Sequence, residues 1–201
     1  WKNGIYCWNE KKRNSRHRRK SGDHMILVNP RLGLEVELSE NQVLNITVES
    51  PVKFSEVVYH ICRQAGGEEG EFILSDIEKE LSMGKRTVVI NNPLTVNCEE
   101  KRILSQLYKN LSEKILEDHF EEFATVNQKV IQFMDKVTSS SEYNLTYDVD
   151  FQAAGLIKYC NVHMDSCYDN FAEKFIDYLR AVKMICNVDI VFVLNLKQYF
   201  S

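Results

Sequence analysis

Residues 43–67 read VLNITVESPVKFSEVVYHICRQAGG. The first six are rich in β-branched residues and predict a strand over 43–48. Pro51 then suits the first turn of a helix, where its missing N–H costs nothing. Phe54, Val57, Val58 and Ile61 recur at helical spacing, and Gly66-Gly67 ends the run. A strand passing directly into a helix is the unit from which α/β sheets are built.

Working outward, 25–28 and 34–38 are short strand candidates on either side of the Asn29-Pro30 turn, and 72–74 is another. RTVVIN (86–91) and DIVFVL (189–194) read as buried strands. Between them lies a helical stretch over 99–137, too long for one helix of a compact domain, which predicts a projecting or bent arm. Ser139-Ser140-Ser141 breaks it, 142–150 (EYNLTYDVD) is an acid-containing connection, and 151–159 is a short helix. Residues 168–185 form an amphipathic helix with Phe171, Phe175, Ile176, Leu179 and Val182 inward. Three strands alternating with helices predict an α/β head with a mainly parallel sheet and an inserted helical domain.

Composition sets the outer bounds. The chain has 201 residues, 44% hydrophobic and 27% charged, enough for one large domain or one with an appendage. No apolar run reaches the ~18 residues of a membrane span. The net charge of −4 hides an asymmetry: residues 1–24 hold eight Lys/Arg against two Asp/Glu, and the remainder 17 against 27. Residues 1–24 read as a nucleic-acid arm, a nuclear localisation signal or, in the preferred reading, a disordered stretch of upstream translation joined to a domain starting at Met25, and Ser201 reads as the start of a helix cut short. The six cysteines include no C-x-x-C pair and no secretory signal precedes them, which predicts reduced thiols in a cytoplasmic protein. Cys160, His163 and Cys167 have metal-ligand chemistry but lack a fourth partner for zinc.

Phosphate-binding loops need glycines, a Lys and a Ser/Thr between strand and helix. Here the junction is Glu49-Ser50-Pro51-Val52-Lys53-Phe54-Ser55, with no Gly, and the later strand ends in Asn91-Asn92 where an acid would hold magnesium. A topology of the phosphate-loop kind without hydrolysis is the expectation. The five histidines are scattered and no nucleophilic triad is visible. Lys101, Arg102, Lys109 and Lys114 lie in the first half of the long helical stretch, with Arg102 and Lys109 near one face; Lys85 precedes a strand and is a candidate for the same surface. These residues read either as phosphate contacts or as a solvated face paired with Glu99, Glu100 and Glu113. Glu142, Asp148 and Asp150 flank an irregular connection, the setting in which carboxylates and carbonyls hold calcium.

From Met25 to Ser201 the chain resembles the small CRISPR-associated Csn family of type II-A systems. The stretches that carry the likeness, in order, are MILVNPRLGLEVEL, VLNITVESPVKFSEVV, RTVVINNPLTVNCEEKRILSQLYKNL, LTYDVDFQAAGLIKYCNVHMD, FAEKFIDYLRAVKMI and DIVFVLNLKQYFS. The resemblance implies an α/β head of degenerate phosphate-loop NTPase type (25–92 and 165–201) with a helical leg (93–164). It implies a non-enzymatic homotetrameric ring that binds double-stranded DNA, preferentially at ends, through a basic central hole, for which Lys85, Lys101, Arg102, Lys109 and Lys114 are the candidates. It also implies stabilisation by calcium, with Glu142, Asp148 and Asp150 the candidate ligands, and partnership with the CRISPR integrase and effector nuclease in spacer acquisition. Thr146 and Val149 stand where the family is often acidic. The rival classes are a nucleotide-dependent enzyme on the same topology and an adaptor that binds proteins without DNA.

Overall fold

The structure, a computed structural model, describes residues 3–9, 24–39, 42–76, 79–165 and 167–199. The chain divides into two compact units, Trp1–Asn97 with Cys167–Ser201 and Cys98–Ser166; the sequence reading cut it at 92/93 and 164/165.

Among the described residues the first unit holds eight strands: β1 (Asn3–Asn9), β2 (His24–Asn29), β3 (Leu34–Ser39), β4 (Gln42–Val48), β5 (Ile73–Ser75), β6 (Glu80–Leu81), β7 (Thr87–Ile90) and β8 (Ile190–Leu194). With them go the helices α1 (Pro51–Ala65), α2 (Met83–Arg86) and α6 (Phe171–Cys186). The fold is mixed α/β with two four-stranded sheets, ordered β4-β1-β8-β7 and β3-β2-β5-β6.

The expected mainly parallel sheet is not what forms. β7 and β8 pair in parallel, and every other described pairing is antiparallel. The three strands read as parallel, β4, β7 and β8, do run in one direction, because β1 lies antiparallel to both β4 and β8. The correction comes from residues 3–9, assigned to a disordered extension but forming β1 at the centre of the sheet. Ile5 and Cys7 are fully buried there, and Gly4 O accepts from Asn195 N at 2.8 Å. The rest of the expected extension, 10–23, lies outside the described residues.

Both sheets and α1 share one core, built from Ile5, Cys7, Leu27, Leu38, Val57, Ile61, Phe72, Leu74, Met83, Ile190, Phe192 and Leu194. Val191 and Val193 are buried on the opposite face of β8, so this strand is covered on both sides, as its unbroken apolar run requires. Helix α6 buries Phe175, Tyr178, Leu179 and Val182; Ile176, expected inward, is exposed. Ser50 Oγ caps α1 by accepting from Lys53 N at 3.4 Å.

The second unit is helical: α3 (Lys101–Asp118), α4 (Phe120–Ser139) and α5 (Ala153–Tyr159). The long helical stretch breaks at one residue, His119 (φ −132°, ψ 29°), with no Pro or Gly to cause it. Ile103 is fully buried on α3, whereas α4 buries no residue completely. Residues 143–151 run back along α4. Tyr147 Oη donates to Asp135 Oδ1 (2.5 Å), and the Phe151 ring stacks on Phe123 at 5.4 Å. No described helix is long and apolar enough to cross a membrane.

Candidate functional site

Helix α3 carries the basic residues singled out in the sequence. Ile103, with half-buried Leu107 and Leu111, turns one face inward, which leaves Lys101, Arg102, Ser105, Lys109, Glu113 and Lys114 exposed. At about 100° per residue, Arg102 and Lys109 lie roughly 20° apart and two turns along the axis, about 10 Å. Ser105 stands between them at i+3 and i−4, on nearly the same side. The sequence reading passed over it, although that spacing marks it. Lys114 points about 140° away from Lys109. Lys85, in α2, belongs to the other unit.

At the N-terminal end of α3, Lys101 and Arg102 follow Glu99 and the N-cap Glu100, whose charges suit the helix dipole. At the C-terminal end the charges run against it: the last turn holds Glu117 and Asp118 and no base. Each such placement costs about 0.3–1 kcal/mol at low salt. Within the helix, Lys109 Nζ approaches Glu113 Oε1 at 4.0 Å with both side chains largely exposed, an ion pair of little worth in water. A row of exposed cations with a hydroxyl between them can hydrogen-bond phosphate oxygens without reading bases.

Glu142, Asp148 and Asp150 are all exposed, and among the described residues no three His, Cys, Asp or Glu side chains gather to hold a metal ion. The connection that carries them is tied to α4: Tyr147 to Ile131 O and Asp135, and Phe151 to Phe123. Both Asp150 oxygens accept from Gln152 Nε2 (3.1 and 3.0 Å). Cys160, His163 and Cys167 are likewise not brought together.

The strand–helix junction is built for structure. Ser55 Oγ donates to Pro51 O at 3.0 Å, and Lys53 is exposed. Asn92 Oδ1 accepts from Leu94 N at 3.0 Å and starts a 3-10 turn, Pro93–Thr95, while Thr95 Oγ1 donates to Asn92 O at 3.0 Å. The Asn-Asn-Pro-Leu run is thus a capped turn at the end of β7. Burial pushes the Cys62 thiol up, and its sulfur lies 3.9 Å from Asn91 Oδ1.

The family model described as CRISPR-associated protein (Cas_Csn2) matches residues 64–201, from the last turn of α1 through both units, and the chain belongs to that family. No curated protein matches it.

Proposed function

We propose that this chain is a non-enzymatic double-stranded DNA-binding protein that assembles as a homotetrameric ring. In this reading it acts in type II-A CRISPR spacer acquisition, beside the integrase and the effector nuclease. The observation that carries the proposal is the exposed cationic row of α3 in a member of a CRISPR-associated family. Lys101, Arg102 and Lys109 contact phosphates, with Ser105 supplying a neutral hydrogen bond. Lys85 and Lys114 complete the basic set on other surfaces.

Assembly is supported by α4. Val126, Phe133 and Val137 lie within about 40° of one another around the helix axis and are all exposed, Phe133 at 64%. Such a stripe is what a neighbouring copy would cover. Three co-directional strands and a helix directly after β4 support reading the head as a degenerate phosphate-loop fold, one without the glycines that cradle phosphate.

Binding of the whole chain to linear and covalently closed circular duplexes, at two salt concentrations, tests this. A ring that threads onto ends prefers the linear form. Each phosphate contact contributes roughly −0.9 to the slope of log affinity against log salt. Reversing Arg102 and Lys109 to Glu together should weaken binding to all sequences alike and flatten that slope. Equal binding to both forms with no salt dependence refutes the proposal.

A further inference from the structure

Sheet edges attract other strands unless they are short, charged or covered. The two sheets end in four described edge strands: β4, β7, β3 and β6. β6 has two residues and β7 four. β3 has six, but Glu35 and Glu37 stand exposed on it. β4 differs from all three. It runs seven residues, QVLNITV, with no charge, no Pro and no Gly. It pairs along its whole length with β1 on one side, and among the described residues no strand pairs with it on the other.

We infer that the free edge of β4 is an interface for β4 of a second copy, the two strands pairing antiparallel about a two-fold axis at Asn45. The pattern of β4 selects both the partner and the register. Leu44 and Ile46 pack against the core, while Val43, Asn45 and Thr47 face solvent on the opposite side. Centred on Asn45, the pairing sets Leu44 against Ile46 of the other copy on the core side. On the outer side it sets Val43 against Thr47, and Asn45 against itself, a self-complementary amide. Both copies keep their apolar residues on the same face, which a slip of one residue would reverse. No charge meets a like charge across the axis, whereas the same operation on β3 would bring its glutamates together. Two four-stranded sheets thereby become one of eight. This interface is independent of DNA contact and of the α4 stripe.

The test is a charge swap on the whole chain, read by solution mass. Val43→Lys with Thr47→Lys places lysines directly opposite one another at two points of the interface. Val43→Glu with Thr47→Glu does the same with carboxylates. Each pair should weaken self-association at least 100-fold, and an equimolar mixture of the two should restore it as a mixed complex. As a second readout, Asn45→Cys alone should link two copies through position 45 under copper phenanthroline, mapped by mass spectrometry. Thr47→Cys, whose opposite residue is Val43, should not self-link. If the lysine pair leaves the mass unchanged, or if Asn45→Cys never links two copies, the inference is overturned. A tetramer that survives the lysine pair would leave the ring reading standing.

Discussion

Gln64, in the last turn of α1, does the work of a strand partner with its side chain. Its Nε2 donates to Phe72 O at 2.9 Å and its Oε1 accepts from Phe72 N at 2.8 Å, and both residues are buried. Gln64→Ala removes both bonds and leaves a buried amide N–H and a buried carbonyl without partners. At about 1–3 kcal/mol for each orphaned group, the expected cost is about 3 kcal/mol. Gly70 belongs to the same lock: a Cβ there would sit 2.5 Å from Gln64 Cδ. Gly70→Ala must therefore expel the amide, and its cost should be about the same 3 kcal/mol. Once Gln64→Ala has emptied the space, the second substitution should add less than about 1 kcal/mol, since residues sharing one contact are not additive. Denaturant midpoints give the global cost, and hydrogen exchange at the Phe72 amide gives the local one, expected to rise roughly a hundredfold in Gln64→Ala. Gln64→Met keeps the volume and should still cost most of the 3 kcal/mol. If it costs under about 1 kcal/mol, or the double variant costs the sum of the singles, the reasoning is wrong.

Other outcomes follow from single contacts. Gly84→Ala brings a Cβ to 2.9 Å from the Gly67 Cα, so backbone must shift; thermal denaturation should show a loss of about 1–3 kcal/mol. Arg86 Nη1 holds Asp189 Oδ2 at 2.8 Å beside the bond from Asp189 N to Arg86 O, which fixes the start of β8 against β7; with both side chains partly screened, Arg86→Met should cost about 1 kcal/mol, checked by urea denaturation. Burial pushes the Cys7 thiol up to about 12 from 9.0. Because the folded value is the higher one, the neutral thiol's contribution is complete below pH 9 and declines as pH rises from 9 toward 12. Iodoacetamide at pH 8 should modify exposed Cys160 and Cys167 rapidly and leave Cys7 unmodified until the protein unfolds; early labelling of Cys7, seen by mass spectrometry, would contradict the central placement of β1.

The sites divide by how local their signal is. The exposed row of Arg102 and Lys109 was legible because helical period alone places residues seven apart on one side, and Ser105 obeyed the same rule unnoticed. The acidic connection is legible only as composition: three carboxylates within nine residues look like a ligand set. Whether they converge depends on where Tyr147 and Phe151 attach, and their partners Asp135 and Phe123 lie 12 and 28 residues earlier in the chain. The Gln64–Phe72 lock also left no mark, since a Gln in a last helical turn has no pattern that announces a partner.

By itself the sequence determined the elements: the strand at 43–48, the helix that Pro51 opens and Gly66-Gly67 closes, the apolar strand ending at Leu194, and the period of α6. Each follows from residues within a few positions of one another, where backbone preference and burial period act. It also contained the family likeness, which is order and spacing along one chain. The tertiary structure alone decided what pairs with what. β1 enters between β4 and β8 because its Ile5 and Cys7 fill the shared core, and Ile5 meets Leu194, 189 residues away. An antiparallel strand there turns three co-directional strands into a mixed sheet and leaves β4 at the edge. Pairing is chosen by the total burial and hydrogen bonding of the assembled sheet, and no window of sequence contains that sum.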